Sequence, residues 1–158
     1  MLQFNSFYEL NMDFDKLYDD KCVYKIQDKD ILELKNYFKK KQGWVYIAKS
    51  KDNTQLKIGR TSKNPMIRAK TLSSAGVLND YEIFFSLKVF NQFWAETSIH
   101  QKLKRFRTKN SKEFFLVNEN IAIQAFESTY KEEIKLLTKF IDTDMIAEDL
   151  DLLEYALK

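Results

Sequence analysis

The 158 residues include one proline, three glycines, one cysteine and one histidine. So few glycines exclude phosphate loops of the Walker or dinucleotide-binding kind, which need several within a short span. The single cysteine, Cys22, cannot close an internal disulfide, and one cysteine with one histidine cannot build a structural zinc site. No apolar run approaches the ~18–20 residues that a membrane helix needs. The N-terminal stretch MLQFNSFYELNMDFD has no cationic start and no apolar run leading to a cleavage site. It does not resemble a signal peptide, and the expectation is an intracellular, cytoplasmic protein. Aromatic side chains, by contrast, are plentiful: 15% of the chain, with 13 Phe and 8 Tyr, inside a hydrophobic fraction of 44%. That is enough apolar bulk for a core, and it excludes disorder as the dominant state.

The net charge of +3 averages over a sharp segregation. Residues 1–30 carry 4 Lys and 7 acids, while residues 31–42 carry 4 Lys and 1 acid. Residues 43–117 carry 14 Lys or Arg against 5 acids, and residues 118–158 carry 4 Lys against 10 acids. A basic middle flanked by acidic ends points to a polyanion-binding core. The sharpest stretch is 97–112, where Lys102, Lys104, Arg105, Arg107, Lys109 and Lys112 occur without one acid. The plainer reading, solvated faces decorated with Lys and Glu, suits the ends better than the middle.

Local patterns give the organisation. Residues 30–41 read as a helix capped by Asp30 with Glu33 three positions on. WVYIAKS (44–50) and LKIGR (56–60) read as two strands of a hairpin around the turn material KDNTQ. Asn64 and Pro65 open a helix that carries Ile67, Arg68 and Leu72 and should stop near Gly76. YEIFFSLKVF (81–90) is the clearest strand, and 92–106 is an amphipathic helix with Phe93, Trp94, Ile99, Leu103 and Phe106 as its apolar positions. KEFFLV (112–117) is a short strand or extended segment. Residues 118–140 are helical, capped by Asn118 or Asn120, and residues 143–157 form an acidic helix. The order predicts an α+β fold, a small antiparallel sheet of about three strands with helices against it. The expected domain is 43–126, between an N-terminal helical extension (1–42) and an acidic C-terminal helical extension (127–158).

Four features of the middle segment can carry chemistry. Tyr46 lies in the first strand, and Lys57-Ile58-Gly59-Arg60 lies in its hairpin partner, so Tyr46 and Lys57 can project near one another. Arg68 falls in the first turn of the following helix. Glu96 and His100, four apart, share one face of the 92–106 helix. Taken singly each has a plain structural explanation: a packed strand tyrosine, a surface Glu–His pair. Their order and spacing carry the functional reading.

That order resembles the GIY-YIG nuclease superfamily, and most of all its phage-type branch often labelled a DNA-binding domain. The resemblance rests on VYIAKSKDNTQLKIGRTSKNPMIRAKTLSSAGV, then AETSIHQKLKRFR, then KEFFLV, and covers roughly residues 43–126. WVY (44–46) stands for the first signature triplet and KIG (57–59) for the second. Trp44 departs from the first glycine, although Gly43 precedes it, and Lys57 stands where the second tyrosine is usual. The closing asparagine has no clean counterpart, with Asn110 and Asn118 nearby.

The resemblance implies phosphodiester hydrolysis with assigned roles. Tyr46 would activate or orient water, and Lys57 would assist it or hold the phosphate. Arg68 would stabilise the pentavalent phosphate with its planar fork. Glu96 would hold one divalent ion, Mg²⁺ or Mn²⁺. His100 could share the proton work. Glu113 would be a second acid or a partner for the basic run. Arg60, Lys63, Lys70, Lys102, Lys104, Arg105, Arg107, Lys109 and Lys112 would track DNA phosphates, on single or double strands. Three functions compete: a metal-dependent DNA endonuclease, a non-catalytic DNA-binding module that keeps the fold, and an interaction protein acting through the acidic C-terminal helix. That helix (Met145, Ile146, Leu150, Leu153 and Leu157 along one stripe) would pack on its own domain or on a second chain as a homodimer, or compete with DNA.

Overall fold

The structure, a computed structural model, describes residues 14–19, 30–50, 54–74, 81–108 and 112–140. The acidic helix expected over 143–157, the residues before Phe14, the hairpin turn at 51–53 and Lys109 lie outside them. The chain divides into two compact units, residues 42–130 and a unit drawn from both ends of the sequence.

In the unit drawn from the ends, a short 3-10 helix (Phe14–Tyr18) and helix α1 (Ile31–Lys41) bury Leu17, Leu34 and Phe38. The Phe14 and Tyr37 rings meet at 5.4 Å, and the Tyr18 hydroxyl donates to Glu133 at 3.0 Å. Burial, together with the Glu133 charge, pushes the Tyr18 phenol well above its ordinary range.

Residues 42–130 form the α+β unit. Strands β1 (Gly43–Ser50), β2 (Leu56–Thr61), β3 (Tyr81–Val89) and β4 (Phe114–Phe115) make one antiparallel sheet in the order β3-β1-β2-β4. The fourth strand is only two residues long, which is why KEFFLV read equally well as extended chain. Helix α2 (Pro65–Ser74) follows β2, α3 (Gln92–Lys102) follows β3, and α4 (Glu119–Leu137) follows β4.

Asparagine opens each of these helices. Asn64 accepts from the Met66 amide at 2.8 Å, Asn91 from Phe93 and Trp94 at 3.0 Å, and Asn118 from Asn120 at 2.8 Å. Each side chain satisfies amides that the first turn leaves orphaned.

Strand alternation sorts the core. Val45, Ile47, Leu56 and Ile58 face α3 and α4 and pack with Ala95, Ile99, Leu103, Phe115, Ala122 and Phe126. Tyr46 and Ala48 face the other way, with Tyr81 and Ile83 against them. Helix α2 packs on that second face, over β3 and β1. Among the described residues no helix is long and apolar enough to cross a membrane.

Candidate active site

Tyr46 and Lys57 do not stand directly opposite one another. In the observed register Tyr46 pairs with Gly59, and Lys57 pairs with Ala48, a diagonal offset set by the hairpin. Glycine at 59 has a packing reason. A Cβ built there would lie 2.7 Å from the Tyr46 hydroxyl oxygen and 2.9 Å from Cζ, so the phenol occupies the space that any larger residue needs. The phenol is 1% exposed. Arg68, in the first turn of α2, donates from Nε to its hydroxyl oxygen at 3.3 Å. Arg68 is only partly buried, so it is the outer group of this pair and Tyr46 the inner one.

Lys57 points from the same strand face as Gly59, two positions earlier. Its ammonium ion-pairs with Glu113 and lies 5.1 Å from the Phe114 ring centroid. The lysine side chain is about one-tenth exposed, which makes the pair matter: removing Glu113 would leave a nearly buried cation unpaired.

On the other side of β2 stands a second group. Arg60 alternates to the α3 face, where its guanidinium lies 3.8 Å from the Glu96 carboxylate and 4.1 Å from the Phe93 ring centroid. Phe93, expected in the apolar stripe of α3, is 42% exposed, and the arginine stacks on it. Gln92, fully buried, donates its amide to the Gln42 carbonyl at 3.0 Å and to the Ser62 hydroxyl at 2.9 Å. Its carbonyl oxygen is 3.5 Å from Arg60 Nη1. Gln92 thereby ties the start of β1 to the exit of β2 and flanks the arginine. No sequence signal marks it; a polar residue at the first position of a helix reads as solvent-facing.

His100 makes a contact that the sequence did not indicate. Its Nε2 lies 2.9 Å from the Ile58 carbonyl oxygen. A carbonyl only accepts, so Nε2 carries the proton and donates. The ring also packs on Phe115, centroids 5.2 Å apart. His100 therefore pins α3 to β2 one turn beyond Glu96, which leaves Nδ1 as its one remaining acceptor.

Burial is the main reason the Glu96 carboxyl titrates above its ordinary value. His100, Arg60 and Lys57 oppose that shift, and Glu113 adds to it. Glu96 thus feels both Arg60 on its own side and the Lys57–Glu113 pair at the rim of the sheet. The described contacts of the five expected site residues fall into three groups about β2: Tyr46 with Arg68, Lys57 with Glu113, and Glu96 with Arg60 and near His100. Strand β4 pairs with Leu56 and Lys57, and Phe115 also bridges Arg107. Among the described residues, no strand pairs with Gly59, Arg60 and Thr61 on the side away from β1.

Of the basic residues expected to track phosphates, Arg60, Lys63, Lys70, Lys102, Lys104, Arg105, Arg107 and Lys112 are all exposed. Lys102 donates to the Thr129 hydroxyl at 3.1 Å, Arg105 lies 4.7 Å from the Phe106 ring, and Arg107 lies 5.4 Å from the Phe115 ring. Among the described residues, no three His, Cys, Asp or Glu side chains stand together so as to hold a metal ion. Glu96 offers carboxylate oxygen alone, a donor set that fits a hard divalent ion finished by water and phosphate oxygens rather than zinc.

Comparison with curated proteins and with solved structures finds no match for the chain. A family model, the T5orf172 domain, matches residues 43–129, which span the sheet, helices α2 and α3, and the first half of α4. That is more than half of the 158 residues, and the chain belongs to the T5orf172 domain family.

Proposed function

We propose that this protein is a DNA endonuclease of GIY-YIG type that uses one divalent ion, Mg²⁺ or Mn²⁺. The observation that carries the reading is the Arg68 guanidinium held on the Tyr46 hydroxyl over Gly59, with Glu96 and Arg60 paired on the other face of β2. Family membership supports a DNA-related role.

In this reading a DNA phosphate approaches the edge of β2 and meets Arg68 first. Arg68 spends one N–H on Tyr46 and keeps four for phosphoryl oxygens, where its charge neutralises what accumulates as the phosphorus becomes five-coordinate. Tyr46 aims the guanidinium. When phosphate draws Arg68 outward, the phenol reaches water and orients it for in-line attack. Lys57, anchored by Glu113, supplies a second fixed positive charge. Glu96 and waters would hold the ion, which lowers the charge on the leaving oxygen when bound. His100 keeps Glu96 in place through α3 and offers Nδ1 for a proton. Lys104, Arg105 and Lys112 contribute salt-sensitive affinity without sequence information.

The Arg60–Glu96 and Lys57–Glu113 pairs favour a second reading, a non-catalytic DNA-binding module, because each carboxylate already has a cationic partner in the chain. Plasmid and single-strand cleavage with Mg²⁺ or Mn²⁺ separates the two. Endonuclease activity should fall about 10²–10³-fold in Arg68→Ala, the scale of losing one preorganised charge-stabilising donor, and should vanish in Glu96→Ala. Salt-sensitive DNA binding that survives with no cleavage under any divalent ion would leave the binding module standing.

A further inference from the structure

The first turn of helix α2 is inverted relative to an ordinary surface helix. It turns Pro65 and the partly buried Arg68 toward the sheet, while Met66 and Ile67 are 70% and 52% exposed. An amphipathic helix does the reverse, with apolar side chains inward and the cation in water. Such a violation belongs at a surface that does something, since exposed large apolar side chains forgo the stabilisation of burial. Lys63 and Lys70, both exposed, flank the two apolar side chains along the chain, and the 27 residues from Asn53 to Asn79 contain no acid. Lys57 and Arg60, in the same stretch, are engaged by Glu113 and Glu96.

An apolar tip between two exposed lysines fits one occupant better than others. A protein surface complementary to the lysines would be acidic, and acidic side chains gain nothing from the apolar tip. Duplex DNA offers both elements: phosphates on the rims of the minor groove, and between them base steps whose apolar faces are uncovered when a step opens. Methionine and isoleucine are among the side chains that part base steps in minor-groove complexes. The neighbouring residue, Arg68, reaches the Tyr46 hydroxyl.

We infer that Met66 and Ile67 form a wedge that enters the minor groove of duplex DNA and partly unstacks one base step, with Lys63 and Lys70 clamping the flanking phosphates. The inference rests on the DNA-directed reading above and deepens it, giving that site double-stranded DNA and a way to choose deformable steps. Pyrimidine–purine steps, which unstack most easily, would be preferred. A kink at the wedge would bring the adjacent phosphate to Arg68.

The test uses the full chain and a short duplex carrying 2-aminopurine at its TA steps, with a fluorophore pair at the ends to report bending. Wild type should raise 2-aminopurine fluorescence and shorten the end-to-end distance. Met66→Ser/Ile67→Ser should abolish both signals and weaken binding about tenfold, while the slope of log affinity against log salt stays as in wild type. Lys63→Ala and Lys70→Ala should each reduce that slope by about one and keep the fluorescence rise. Ile67→Phe, a larger wedge, should increase the bend. The serine positions are exposed, so circular dichroism and melting should match wild type.

Three outcomes overturn the inference. Duplex binding with no unstacking by wild type, or unstacking that survives in the double serine variant, removes the wedge while leaving DNA binding intact. No salt-sensitive binding to any duplex removes both the wedge and the functional reading beneath it. A change of oligomeric state in the double serine variant, with unaltered DNA binding, assigns the tip to a second copy of the chain instead.

Discussion

Helices α2 and α3 begin alike and are held differently. Both open on an asparagine cap, both run for ten or eleven residues, and both carry expected catalytic side chains, Arg68 on α2 and Glu96 and His100 on α3. Helix α3 is held by Ala95 and Ile99, fully buried at a four-residue spacing, and Glu96 rides one position round from that stripe. Helix α2 presents a buried proline and a guanidinium inward and its large apolar side chains outward in its first turn. In α3 the core fixes the helix and the helix fixes the carboxylate. In the first turn of α2 the inward contact is itself polar, an arginine on a phenol. Rigidity and exposure are thus distributed unequally across the two sides of β2.

The sharpest way to break this comparison is to truncate each helix's large side chains. Ile99→Ala removes a fully buried side chain and should cost about 2–5 kcal/mol in urea unfolding. Met66→Ala and Ile67→Ala, at exposed positions, should each stay within about 0.5 kcal/mol. Equal losses at the two helices would show that α2 is held by its apolar residues after all.

Next in size is Gly59→Ala. The added methyl has to displace the Tyr46 ring, which should cost about 1–3 kcal/mol, the usual range for overpacking. The same substitution should lower any Arg68-dependent activity, because it moves the hydroxyl that aims the guanidinium. A stable, fully active Gly59→Ala protein would mean that the phenol has room to move.

His100→Ala is expected to be milder. It leaves the Ile58 carbonyl, at the sheet edge, without its imidazole donor, for about 0.5–1.5 kcal/mol. If His100 anchors the helix, asparagine at 100 should recover part of the lost stability.

The smallest effect concerns pH. The folded protein raises the Glu96 carboxyl above its ordinary value, so between the ordinary and raised values the native state binds more protons than the unfolded chain. Stability from this group is therefore fully present below the ordinary value and lost as pH rises through the raised one. Glu96→Gln should gain stability relative to wild type as pH rises across that window, read from urea midpoints at a series of pH values. A difference that shrinks with rising pH would place Glu96 in a more stabilising environment than its burial indicates.

Much of the architecture was legible because it is local. Alternating apolar residues with aromatic and β-branched side chains marked the strands at 44–50, 56–60 and 81–90, and the Asn64-Pro65 pair marked the start of α2. Of the site, the residues Tyr46, Arg68, Glu96 and His100 could be named, but their company could not. Arg60 read as one more phosphate contact, and its place by Glu96 and Phe93 was not legible. His100 read as a proton carrier, and its Nε2 bond to a strand carbonyl was not legible.

What the sequence determined by itself is the set of elements, the polarity of each strand face and the basic character of residues 43–117. These follow from periodicity and composition, which act between near neighbours. Only the tertiary structure decided that Tyr46 stands over Gly59 rather than across from Lys57, that Arg60 pairs with Glu96 and Lys57 with Glu113, and that Met66 and Ile67 face outward. Pairing register and the packing side of a helix are set by contacts between residues far apart in the chain. A shift of one residue in that pairing turns every strand side chain to the other face, so these features were fixed only when the sheet closed on its helices.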